Sequence, residues 1–185
     1  MKENIGEQEL ARLCSGKDDK AAGELYTRYA ARLLTLCRRY CSDSDEAEDL
    51  MQDALIRALD NMSTFTYRGN GSLYAWISRI AVNMALSRIR KHRLKLVSLS
   101  SDHMPDIPDP GEEEMMRVPQ DRLLEMISSL TDVRRVVFNM YCIDGYSHRE
   151  IAQALGISEK GSASTLAKAR NQLKKEIRDY LDKTE

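Results

Sequence analysis

Ser147-His148-Arg149-Glu150-Ile151-Ala152-Gln153-Ala154-Leu155-Gly156-Ile157-Ser158 carries the strongest structural signal in the chain. Ser147-x-x-Glu150 has the spacing of a capping box, in which each side chain satisfies a backbone amide at a helix start. Ile151, Ala152 and Leu155 then fall on one side of a short helix. Gly156 suits the left-handed turn that follows a helix end, and Ser158 is placed to cap the next helix. Ala152 is small where two helices would cross closely, and Ile157 fills the gap between them. Short helix, three-residue turn and longer helix make a helix-turn-helix, whose second helix enters the DNA major groove in proteins of that kind. Lys160, Ser162, Ala163, Thr165 and Lys168 are expected to face base edges, and Ser147, His148, Arg170 and Lys174 to reach phosphates. The bland alternative is a helical hairpin that binds nothing.

Outward from this motif, helical spacing continues in both directions. Leu166, Ala169, Leu173, Ile177 and Leu181 extend the last helix. Leu123, Met126, Ile127 and Leu130 mark one helix before the motif, and Val133, Val136, Val137, Met140 and Tyr141 mark another, started by Thr131 or Asp132. Upstream lie Leu10, Leu13 and Cys14, then Leu25, Tyr26, Tyr29, Leu33, Leu36, Cys37 and Tyr40. Asp43-x-x-Glu46 resembles a second capping box and opens a helix with Leu50, Met51, Ala54, Leu55, Ala58 and Leu59 inward. After the Gly69-Asn70-Gly71 break comes a helix with the stripe Leu73, Trp76, Ile77, Ile80, Ala81, Met84, Ala85 and Ile89, which puts Trp76 in the core. No stretch alternates as a strand would. The expected class is all-α.

All four prolines, Pro105, Pro108, Pro110 and Pro119, fall in one stretch beside Glu112-Glu113-Glu114. Proline lacks an amide hydrogen and like charges repel, so an extended linker is expected at 97–118. It separates an N-terminal helical domain, 1–96, from a C-terminal one, 119–185.

The chain has 185 residues, 31% charged, with a formal net charge of -1. Near neutrality argues against a nucleic-acid binder until the charge is mapped, because it is sorted into blocks. Acids dominate from Asp43 to Asp60. From Asn61 to Ser101 there is no Asp or Glu, while Arg68, Arg79, Arg88, Arg90, Lys91, Arg93 and Lys95 all lie there. No apolar run approaches the ~20 residues of a membrane helix, and no apolar signal segment follows Met1, so a cytoplasmic location without membrane insertion is expected. Cys14, Cys37, Cys41 and Cys142 form no C-x-x-C pair and read as reduced thiols. No metal or other cofactor is expected.

Two further constellations carry chemistry. Arg79, Asn83, Ser87 and Arg90 share one side of their helix, expected opposite Trp76 and Ile80. Arginine neutralises phosphates and asparagine can bond a base edge. Phe65-Thr66-Tyr67-Arg68-Gly69-Asn70, just before, combines aromatics, a cation and an amide in a way that suits an unstacked base. The alternative is a solvated polar face with a surface turn. The acidic helix groups Glu46, Asp49 and Asp53, with Asp45, Glu48 and Gln52 beside them. Such a face could bind magnesium for phosphoryl chemistry, dock a basic protein, or simply be solvated; spacing alone does not decide.

These stretches together resemble the extracytoplasmic-function group of sigma-70-type sigma factors. Asp45-Glu46-Ala47-Glu48-Asp49-Leu50-Met51-Gln52-Asp53 is similar to that family's polymerase-binding helix. Tyr67 to Asn83 is similar to its -10 reading segment. Leu130-Thr131 to Tyr141, with Tyr146 to Ala152 and Leu155 to Ser158, is similar to its -35 reading domain. The resemblance covers nearly the whole chain, and the order and spacing of the pieces are highly specific. It implies two helical domains, sigma regions 2 and 4, and a factor that brings core RNA polymerase to promoters and opens the DNA. It implies contact of Asp45, Glu46, Glu48, Asp49, Gln52 and Asp53 with the beta-prime clamp helices, and the beta flap as a further polymerase surface met by the factor. It implies -10 contacts by Phe65, Tyr67, Arg68, Asn70, Ser72, Arg79, Asn83, Ser87, Arg90 and Lys91, with a flipped base near Asn70. It implies -35 contacts by Ser147, His148, Ser158, Lys160, Ser162, Ala163, Thr165, Lys168, Arg170 and Lys174. It also implies a linker threading toward the RNA exit path and, as is frequent in the family, an anti-sigma factor. One departure stands out: Lys160-Gly161-Ser162-Ala163-Ser164-Thr165 is small and sparsely charged where relatives are basic and beta-branched. Two rival readings remain: a repressor that binds DNA without polymerase, and a nuclease using Asp45, Asp49 and Asp53 with magnesium.

Overall fold

The computed structural model describes residues 5–93 and 116–184, with the side chains of His92 and Arg93 left aside. Most of the proline-rich acidic stretch lies outside the described residues. The described residues form eight α-helices: α1 Glu7–Ser15, α2 Asp19–Arg38, α3 Ser44–Asp60, α4 Ser72–Arg93, α5 Gln120–Ser129, α6 Asp132–Phe138, α7 His148–Leu155 and α8 Glu159–Asp182. A 3-10 turn, Met62–Thr64, follows α3, and a π turn, Asn139–Ile143, continues α6. No strand occurs among the described residues. The chain falls into two compact units, Met1–Ala85 and Leu86–Glu185.

The first unit packs α1, α2, α3 and the start of α4 around Leu10, Leu25, Leu33, Leu50, Leu73 and Ile77, each at most 1% exposed. Ala47, Ala54 and Ala58 of α3 are completely buried, and their small side chains let neighbouring backbones approach closely. Tyr26, expected on the inward stripe of α2, is 49% exposed. Asp43 caps α3 by accepting the Glu46 amide at 2.8 Å. The Glu46 carboxylate returns one residue further back than a capping box requires, accepting from the amide and hydroxyl of Ser42 at 3.0 and 2.9 Å.

In α4 the inward side is rotated from the expected stripe. Leu73, Ile77, Ala81, Val82, Ala85, Leu86 and Ile89 are buried, whereas Trp76, Ile80 and Met84 are half-exposed. At 100° per residue, Trp76 and Ile80 fall beside Asn83 and Ser87, not opposite them. Val82 and Leu86, left out of the expected stripe, pull its centre away from Trp76.

In the second unit, Val118, Met126, Leu130, Ala169, Leu173, Ile177 and Leu181 form a core cluster. Val118, expected as the last linker residue, is 5% exposed and belongs to this core. Arg135 is 2% exposed. Its guanidinium donates to the carbonyls of Ser128 and Leu130 at 2.8 and 3.1 Å and to Asp132 Oδ1 at 2.6 Å. It therefore satisfies carbonyls left open where α5 ends. The π turn, marked by the bond from the Asp144 amide to the Asn139 carbonyl at 3.0 Å, widens the helix by one residue. That shift leaves Met140 buried and turns Tyr141 outward at 38% exposure, where unbroken α-helical spacing had placed it inward.

The helix-turn-helix forms as its local chemistry dictates. Ser147 and Glu150 close a reciprocal capping box at the start of α7. Two hydrogen bonds from Ser147, through its backbone amide and its hydroxyl, hold the Glu150 carboxyl below the usual carboxylate range. Gly156 has φ 66° and ψ 40°, a left-handed conformation that a Cβ disfavours. Its amide and that of Ile157 both reach the Ala152 carbonyl, the bonding expected where a helix ends on glycine. Ser147→Ala removes the cap and is expected to lower the unfolding free energy of this unit by about 1 kcal/mol. Thermal and urea unfolding monitored by circular dichroism would measure the change; an unchanged midpoint would contradict the cap's role.

Candidate functional site

The acidic side of α3 lies opposite its buried side. Asp45, Glu48, Asp49, Gln52 and Asp53 are exposed. Helical spacing sets Asp45, Asp49, Gln52 and Asp53 around Ile56, which is 58% exposed. Ile56 was not among the residues picked from sequence, and its apolar surface in a ring of acids was the available signal. Glu46 stands at the edge of this face with its carboxylate engaged by Ser42. Among the described residues, no three of His, Cys, Asp or Glu stand together so as to hold a metal ion. The nuclease reading therefore gains no geometric support, while an apolar centre ringed by carboxylates suits a basic protein surface with an apolar anchor point.

The loop before α4 is built from local and distant bonds. Gly69 and Gly71 have φ of 110° and 87°, a region open to glycine and strained for other residues. The Tyr67 hydroxyl donates to Asn70 Oδ1 at 3.1 Å, and the Arg68 amide donates to Ser72 Oγ at 3.2 Å. Ser72 thus shapes the loop. Arg68 and Asn70 are exposed. Phe65, expected to meet a base, packs on Trp76 with ring centroids 5.4 Å apart. Both rings are half-exposed, so they form one aromatic ledge beside the polar side of α4. Arg79, Asn83, Arg90 and Lys91 are exposed along that side, and Ser87 is half-exposed. Two clefts flank Asn70. One, of about 380 Å³, is lined by Glu7, Glu24, Thr27, Arg28, Tyr29 and Asn70. The other, of about 480 Å³, is lined by Gly6, Glu7, Gln8, Glu9, Arg12, Tyr67 and Asn70.

In the helix-turn-helix, several residues expected to meet DNA also hold the motif together. Ser162 is completely buried and its hydroxyl lies 3.0 Å from His148 Nδ1. His148 stacks on Tyr141 at 4.4 Å. Ser162 therefore cannot reach a base, and His148 joins α7, α8 and the π turn. Ser158 accepts the Gly161 amide at 3.0 Å as the cap of α8. The Thr165 hydroxyl donates back to the Gly161 carbonyl at 2.7 Å. A Cβ at Gly161 would sit 3.1 Å from Ser158 Oγ, so glycine suits a position where helix propensity alone disfavours it. Lys160 and Ala163 remain on the exposed side, joined by Ser164 and Ala167, which sequence reading missed. Lys168 and Lys174 are half-exposed further along. Arg170 is exposed, with its guanidinium 5.9 Å from the Tyr141 ring.

Among the described residues, no helix is long and apolar enough to cross a membrane. The family description "Sigma-70 region 2" matches residues 25–95, and "Sigma-70, region 4" matches residues 120–173. The chain is similar to the ECF RNA polymerase sigma factor SigW of Bacillus subtilis, 28% identical over 180 residues, covering 88% of this chain and 91% of that one. It is similar to the ECF RNA polymerase sigma-E factor of Haemophilus influenzae, 26% identical over 193 residues, covering 98% of this chain and 100% of that one. Among solved structures, the sigma factor RpoE of Bartonella quintana, in complex with the anti-sigma factor NepR, matches with a TM-score of 0.49 and 20% identity over 84% of this chain and 96% of that one. With regions 2 and 4 matched in order and full-length relatives of one kind, the chain belongs to the sigma-70 family and is an RNA polymerase sigma factor of the extracytoplasmic-function type.

Proposed function

We propose that this sigma factor divides its work among three faces. The α3 face centred on Ile56, with Asp45, Glu48, Asp49, Gln52 and Asp53 around it, docks on the beta-prime clamp helices of core RNA polymerase. The Tyr67–Ser72 loop and the outward side of α4 hold opened -10 DNA: Asn70 and Tyr67 meet an unstacked base, while Arg68, Arg79, Arg90 and Lys91 meet phosphates. The outward side of α8 reads the -35 element. There Lys160 and Lys168 supply charge, Ser164 a hydrogen-bonding hydroxyl, and Ala163 and Ala167 surfaces that suit thymine methyl groups. Domain 1–96 carries the first two tasks and the C-terminal domain, Val118 included, the third, joined by the linker at 97–117. The factor works in the cytoplasm and performs no bond chemistry of its own. Its contribution is binding energy that favours open DNA, offsetting an unstacking cost of about a few kcal/mol.

The observation that carries this reading is the sorting of charge by face in a chain of net charge -1. The carboxylates of α3 lie opposite its core, and the outward side of α4 is free of acids. An autonomous repressor needs the second feature and has no use for the first. Transcription in vitro with core polymerase over a promoter library is the direct test, with start-site selection by the combination and weak DNA binding by the free factor expected. Tight, selective binding by the free factor would favour the repressor.

Salt dependence tests the cationic face separately. If Arg68, Arg79, Arg90 and Lys91 neutralise four phosphates of the opened strand, they contribute about -2.8 to the slope of log affinity against log salt. Arg79→Ala with Arg90→Ala is expected to make the slope of promoter binding by the holoenzyme shallower by about 1.4. An unchanged slope would remove both residues from the phosphate contacts.

A further inference from the structure

The Tyr67–Ser72 loop has two glycines in left-handed backbone conformations, and glycine loses more freedom on ordering than any other residue. The loop's internal bonds, Tyr67 to Asn70 and Arg68 to Ser72, leave the Gly71 amide to be held from outside the loop. Glu7, 64 positions earlier, is tied to its backbone from a distant segment. Glu7 Oε2 accepts the Gly71 amide at 2.7 Å, and Glu7 Oε1 accepts the Tyr29 hydroxyl at 2.8 Å. Tyr29 is 6% exposed, and burial, aided by the Glu7 hydrogen bond, pushes its hydroxyl up to about 12, so it remains a donor. The Tyr29 ring lies 6.0 Å from that of Tyr74 in α4. One carboxylate therefore joins α1, a buried tyrosine of α2 and the backbone beside Asn70. Glu7 also lines both clefts that flank Asn70. Each is within the size range of small-molecule sites and exceeds what a single nucleobase needs.

We propose that Glu7 is the positioning residue of the -10 loop, holding the Asn70–Gly71 peptide so that the base-capturing conformation exists before DNA arrives. The proposal rests on the reading of this loop as the acceptor of an unstacked base. Its physical content is pre-organisation: ordering the loop in advance removes that cost from binding. Glu7 acts on the DNA through Gly71 and Asn70, since a carboxylate directed at phosphates would oppose binding.

The test uses full-length holoenzyme and a forked promoter whose -10 base is single-stranded, beside the same fork carrying an abasic site there. Glu7→Ala is expected to weaken binding to the intact fork by about tenfold, the scale of one hydrogen bond to a charged acceptor. Tyr29→Phe keeps the ring and releases one side of the clamp, with about a threefold loss expected. Glu7→Gln, with one oxygen left to accept, should fall between wild type and Glu7→Ala. On the abasic fork all three should match wild type, and core binding should be unchanged. Equal losses on intact and abasic forks would overturn the proposal, because Glu7 would then support the fold or another contact. Wild-type binding by Glu7→Ala alongside a loss in Asn70→Ala would overturn the role of Glu7 and leave base capture standing. No loss in Asn70→Ala and no effect of the abasic site would overturn base capture itself.

Discussion

Factor carrying both Asp49→Lys and Asp53→Lys is expected to lose core RNA polymerase almost completely, with affinity lower by two to three orders of magnitude. Both carboxylates are exposed beside Ile56, on the side of α3 that faces away from its core. Placing like charges against a basic partner costs several kcal/mol, and about 1.4 kcal/mol corresponds to each tenfold in affinity. The substitutions should barely affect folding, since exposed changes away from caps and cores usually stay within about 0.5 kcal/mol. Ile56→Ala should weaken binding by about tenfold without altering charge, as expected for an apolar anchor near an interface centre. Fluorescence anisotropy of labelled factor against purified core would measure both. Core binding unchanged by the double reversal would remove α3 from the polymerase interface, however well the promoter faces behaved.

The largest expected effect on stability is at Arg135. Arg135→Ala is expected to destabilise the C-terminal unit by about 3–5 kcal/mol, the cost of removing one member of a buried, hydrogen-bonded ionic arrangement. Asp132, its ionic partner, is 53% exposed and can return to water. Most of the cost should therefore come from the emptied volume and from the Ser128 and Leu130 carbonyls, which lose their donor. Arg135→Met separates these contributions. It restores much of the packing without restoring the donors, and a loss of about 1–3 kcal/mol is expected. The π turn and α7 follow directly on α6, so -35 binding should fall with stability. Equilibrium denaturation of the full chain, read through a probe in the C-terminal unit, would give both values. Equal and small losses in the two variants would show that the guanidinium contributes little.

The helix-turn-helix was legible because its determinants are local. Ser147 and Glu150 are three residues apart, Gly156 ends α7 where its backbone turns left-handed, and Ser158 caps α8; each bond closes within a few residues. The acidic side of α3 was legible for the same reason, since helical geometry alone sets Asp45, Asp49 and Asp53 on one side. Its centre was missed because Ile56 is apolar and was not weighed as surface.

Sequence by itself therefore determined that the chain is helical, where the recognition motif begins and ends, which helix is acidic and which segment is free of acids. These follow from hydrogen bonds and spacings spanning a few residues. Tertiary structure decided which side of each helix faces inward and which side chains are left for partners. In α4, Val82 and Leu86 are buried while Trp76 and Ile80 remain half-exposed. In α8, the run from Gly161 to Thr165 is small and weakly polar, so hydropathy sets no phase, and packing against α7 selects Ser162 for burial. Arg135 beneath the end of α5, and Glu7 reaching across 64 residues to Gly71, leave no periodic trace. Their partners meet only when separate helices pack, and that proximity is a property of three-dimensional packing, not of spacing along the chain.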